Sequence, residues 1–158
     1  MSLGLDEEKA KANDLERRVD AHYGKLRIIW LAILASLVAI FVATRLFEPL
    51  EGGGSALVFW LFVGLGVGNL IISFYMKHRI LRYAIARQNL DMVRGAYVIA
   101  FAICEMVGLV GAVSHFSLGH KYYYFLFVLG GFGVVLHKPQ RDDLVAAAGA
   151  ADIWDAMK

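Results

Sequence analysis

One carboxylate stands apart from the other titratable groups of this chain. Glu105 lies in the apolar run Ala96–His115, about ten residues from each end. A charged side chain at the centre of a bilayer costs at least about 2.5 kcal/mol on insertion scales unless it is neutralised or paired. Glu105 is therefore expected to be protonated or held by a polar neighbour, and a carboxyl in that position can exchange a proton. The candidate neighbour by depth is Asn69, whose amide could donate to the carboxyl oxygen. Counted from the basic loop at 1.5 Å per residue, Asn69 lies roughly 12 Å deep and Glu105 roughly 15 Å. Gly64, Gly66 and Gly68 precede Asn69, and Gly108 and Gly111 follow Glu105. Small residues of this kind let two helices approach closely in lipid, so these glycines are expected to form a packing seam between the two segments.

The remaining groups suggest no other chemistry. His115, His120 and His137 fall at segment ends, and no two histidines or carboxylates within a span have metal-ligand spacing. Cys104 is the single cysteine, so the chain has no disulfide framework. No nucleophile is paired with a base, and there is no phosphate loop and no haem or Fe–S signature. No enzymatic activity, cofactor or nucleic-acid partner is expected.

The elements that must position Glu105 follow from hydropathy. Of 158 residues 59% are hydrophobic, and the mean hydropathy is +0.58, above the share of about 45 to 50% usual for soluble domains. The excess falls in four runs, about 28–47, 56–76, 96–115 and 122–136. A helix needs roughly 20 apolar residues to cross a hydrocarbon core of about 30 Å, and the fourth run is the shortest. The expected fold is an all-α integral membrane protein of four transmembrane helices over 28–136, with both ends outside the lipid. Residues 1–27 hold many charges and no apolar h-region, unlike a cleavable signal peptide. Acids early in that segment, and opposite charges three or four apart, predict a charged helix ahead of the first span. Pro139 ends the fourth span, and the Ala-rich residues of the tail, 137–158, suggest a short helix ending near Trp154.

Basic residues set the orientation. Lys25 and Arg27, then Lys77, Arg79, Arg82, Arg87 and Arg94, then Lys138 and Arg141 mark three segments. The two intervening loops carry one Lys or Arg each. The positive-inside rule places both termini in the cytoplasm, and insertion without a leader points to a bacterial inner membrane. Trp30, Trp60 and Tyr122–Tyr124 fall near span ends, where aromatic rings favour the headgroup region. The basic residues around His78 are expected to face anionic lipid headgroups.

Residues 84–113 contain Ala86-Arg87-Gln88, Val93-Arg94-Gly95, Glu105 and Gly111-Ala112-Val113 in that order. This stretch resembles the c subunit, or proteolipid, of F-type and V-type rotary ATPases, and residues 60–83 resemble its glycine-rich first helix more weakly. The resemblance implies a helical hairpin over 60–113 with Glu105 as the proton-binding carboxylate. It also implies a polar loop of Arg87, Gln88 and Asn89, entered through Arg94, that meets a partner subunit. Two further spans flank the hairpin here. They favour a small accessory or structural subunit of a larger membrane complex over the alternative, a proton-translocating subunit. The expected partners are membrane lipids and either further copies of the chain or the subunits of such a complex.

Overall fold

The computed structural model describes residues 3–48, 55–119 and 121–149. Five helices follow in order: α1 Leu3–Leu46, α2 Ala56–Ala86, α3 Leu90–Leu118, α4 Tyr124–Leu136 and α5 Arg141–Ala147. The described residues contain no strand. His120, the loop residues 49–54 and the tail beyond Gly149, with Trp154, lie outside the described residues.

Three of these helices, α1 to α3, are long and apolar enough to cross a membrane. At 13 residues α4 is about 20 Å long, shorter than the hydrocarbon core. The charged N-terminal segment and the first span form one helix of 44 residues, about 66 Å long. Gly24 lies between them in open space. One exposed glycine costs a helix only about 1 kcal/mol, too little to break it between strong helix formers.

The turn from α2 to α3 takes three residues. Gln88 adopts a left-handed conformation, φ 49°, and the Asn89 N–H reaches back to the Ala84 carbonyl at 3.0 Å. Asn89 then caps α3, its Oδ1 accepting from the Met92 N–H at 3.1 Å, and Asp91 adds a favourable charge to the first turn. So tight a turn makes α2 and α3 antiparallel neighbours. Gly119, in the left-handed conformation, ends α3.

α3 is the centre of the bundle. It is the most buried of the long helices, and its inward residues Ala96, Tyr97, Ala100, Cys104 and Val107 meet α1, α2 and α4. α1 and α2 by contrast turn large apolar side chains outward along much of their length, among them Ile28, Val38, Trp60 and Ile71. After α4 the chain is back at the end of the bundle where α2 turns into α3. There α5 packs on α1, α2 and α3.

Candidate functional site

Glu105 sits on the α1-facing side of α3 and is half-buried. Its Oε1 accepts a hydrogen bond from the Ser36 hydroxyl at 2.7 Å. The expected donor was Asn69, but the bond comes from α1. Helix rotation accounts for this. On α2 the buried residues Phe59, Gly66 and Ser73 recur every seven positions, and Asn69 is half-buried beside them. On α3 the residue one step before Glu105, Cys104, faces α2, approaching Ser73 at 3.7 Å. One residue turns a helix by about 100°, which carries Glu105 from the α2 side to the α1 side. Gly108, one turn further on, meets Leu37 of α1. No basic side chain among the described residues forms a salt bridge with Glu105.

The glycine seam lies elsewhere than expected. Gly64 and Gly68 face open space, and only Gly66 of the three packs inward, its Cβ position 3.0 Å from Val107. Gly111 meets Leu126 and Phe127, and Gly108 meets Leu37 and Phe127. Among the described glycines, the one crowded by another helix's backbone is on α4: a Cβ on Gly130 would stand 2.8 Å from the Cys104 carbonyl oxygen and 3.0 Å from the Gly108 nitrogen. Gly133 abuts Cys104 and Leu70. The crowded glycines therefore join α3 to α4 as well as to α2.

The polar loop divides into separate roles. Asn89 is the α3 cap, Gln88 packs against Gly149 of the tail, Arg94 pairs with Asp91 at 3.4 Å, and Arg87 is exposed. None of the four lies at the Glu105 site.

A second polar group forms where α2, α3 and the end of α4 meet. His137 is fully buried, with Nε2 2.8 Å from the Ser73 hydroxyl and the ring 4.2 Å from Phe74, while Nδ1 has no partner among the described residues. Burial, reinforced by the nearby Lys77 ammonium, lowers the proton affinity of His137 and keeps the imidazole neutral. Beside it Lys77 lies over the Tyr97 ring at 4.1 Å. The Tyr97 hydroxyl donates to Asp143 at 2.5 Å and accepts from the Gln140 N–H at 3.0 Å, tying α5 to the bundle. Arg141 extends the tie to α1 through Asp20 at 3.0 Å and Glu16 at 3.3 Å. Sequence reasoning missed Ser36, Ser73, Tyr97 and Asp143. Ser36 did leave a signal, being a hydroxyl at nearly the depth of Glu105 in the first span, but depth alone did not separate it from Asn69.

Chemically, the Ser36 hydroxyl donates to one Glu105 carboxyl oxygen and so ties α1 to α3. Comparison with protein-family models, curated proteins and solved structures finds no match to this chain.

Proposed function

We propose that this protein is a small structural subunit of a larger membrane complex, with four membrane crossings and both termini on the cytoplasmic face of a bacterial inner membrane. The observation that carries the reading is the Ser36 to Glu105 hydrogen bond of 2.7 Å. A proton-carrying rotor subunit needs its carboxyl free to meet a stator. Here the chain's own first helix supplies the donor, so the carboxyl serves to bind α1 to α3. The outward apolar faces of α1 and α2 suit lipid or neighbouring subunits.

The even number of crossings is supported by where α5 docks. α5 contacts the charged half of α1 through Arg141, and the start of α3 through Tyr97. α4 must then return the chain to the side from which α1 set out, its 13 residues being extended by polar flanks at each end. All three basic segments lie toward that side, which the positive-inside rule makes cytoplasmic.

Proton translocation through Glu105 is the alternative reading, favoured by the half-exposed carboxyl and by the resemblance to rotary proteolipids. Reconstitution in liposomes under an imposed potential separates the two. Equal proton flux for the wild type and Glu105→Gln is expected, together with migration of the native chain in an assembly well above 17.5 kDa. Flux that Glu105→Gln abolishes would overturn the structural reading in favour of the alternative. Native migration as a lone monomer would overturn the subunit reading.

A further inference from the structure

Between α1 and α4 runs a groove of about 380 Å³. Its walls are two facing helical stripes: Leu34, Val38 and Phe41 on α1, and Val128 and Gly131 on α4. A Cβ on Gly131 would meet nothing within 4 Å, so the floor of the groove is open there. Beyond the inner end, α1 and α4 are joined where the Trp30 indole N–H donates to the Val134 carbonyl at 2.8 Å. The outer end carries Arg45, whose guanidinium lies over the Phe41 ring at 5.7 Å and forms no salt bridge among the described residues.

The length of the groove bears on what fills it. From Leu34 to Arg45 a helix rises about 16 Å, close to half of a hydrocarbon core of about 30 Å, which is one leaflet. An apolar groove about one leaflet long, ending at a cation with no salt bridge among the described residues, complements a molecule with an alkyl tail and an anionic head. We propose that this groove binds a phospholipid, one acyl chain lying between α1 and α4 and the headgroup phosphate pairing with Arg45. The inference rests on the membrane-spanning reading of the chain.

The test uses the full chain purified in mild detergent, stripped of loosely held lipid, and titrated with phosphatidylglycerol or with diacylglycerol of the same chains. Native mass spectrometry reads the bound lipid. The wild type is expected to hold about one phosphatidylglycerol per chain and to prefer it to diacylglycerol by about tenfold, some 1.4 kcal/mol. Gly131→Leu starts from a Cβ position that meets nothing within 4 Å, projects into the groove and should weaken binding by about tenfold or more. Gly64→Leu, equally unobstructed but on α2, should leave binding unchanged. Arg45→Gln should remove the preference for the phosphate while retaining the tail.

Equal binding by the wild type and Gly131→Leu would overturn the proposal, as would equal wild-type affinity for diacylglycerol. A disulfide-linked dimer of Val128→Cys in native membranes would overturn it too, because another copy would then occupy the groove. Extraction of the wild type by alkaline carbonate would instead refute the membrane-spanning reading. A carbonate-resistant chain that binds no lipid would refute this inference alone.

Discussion

Removing the Ser36 hydroxyl leaves the Glu105 carboxyl without its only described donor. Interhelical hydrogen bonds in lipid are modest, because the unfolded chain also finds partners there, so Ser36→Ala is expected to cost about 1 kcal/mol. Glu105→Gln keeps an acceptor oxygen for Ser36 and should cost less. Reversible unfolding in mixed micelles measures both, and a larger loss for Glu105→Gln than for Ser36→Ala would show that the carboxyl is held by something else. Tyr97 is a stronger case. Its hydroxyl joins Asp143 and the Gln140 N–H, and Tyr97→Phe leaves both without that partner. A hydrogen bond to a charged group contributes about 1.5 to 3 kcal/mol. Amide exchange in α5 should therefore accelerate about tenfold for each 1.4 kcal/mol lost; unchanged exchange would mean that Leu144 and Ala147 alone seat the helix. The existence of a costly carboxyl at position 105 was legible from its type and its apolar surroundings. Its partner was not, because Asn69 and Ser36 lie at similar depths and only the rotation of each helix distinguishes them.

Among the elements, α4 is the one that sequence length describes least well. It is too short to span the core as a helix, yet it presses backbone on backbone against α3 at Gly130. Gly130→Ala would drive a methyl group into the Cys104 carbonyl and the Gly108 backbone, neither of which can swing aside as a side chain can. A loss of about 1 to 3 kcal/mol is expected, the usual range for overpacking. Gly64→Ala and Gly68→Ala enter open space and should be neutral or stabilising by up to about 1 kcal/mol through helix propensity. Thermal denaturation in one detergent orders the three variants. Destabilisation by Gly64→Ala as large as that by Gly130→Ala would place the seam on α2 after all. The glycine positions themselves do not reveal which ones are crowded, since Gly64, Gly66 and Gly68 look alike in sequence and only Gly66 points at α3.

For the whole molecule, the decisive arrangement is the contact of α5 with the charged half of α1 and the start of α3. Single-cysteine reporters at Lys11 and Lys138 should label from one side of the membrane, and one at Lys121 from the other, with native Cys104 buried and silent. Labelling of Lys11 and Lys138 from opposite sides would mean an odd number of crossings. The surface clamp from Arg141 to Asp20 and Glu16 is exposed, and exposed pairs contribute about 0 to 1 kcal/mol. Arg141→Gln should thus leave the melting temperature nearly unchanged, and the small difference from wild type should vanish at about 1 M salt, where the Debye length is about 3 Å. A loss of several degrees that persists at high salt would show that packing, and not charge, makes the clamp.

Composition and the spacing of apolar residues by themselves determined that this is a helical protein with segments able to cross a membrane, because backbone groups in lipid must be satisfied within each segment. They also singled out Glu105, since the cost of an ionisable group depends on its immediate apolar neighbours. Which faces meet is a different kind of information. A turn of about 100° per residue converts one position in sequence into a different neighbour in space. Only the tertiary structure could therefore give Glu105 to Ser36, press Gly130 of α4 against the α3 backbone, and bury His137 against Ser73.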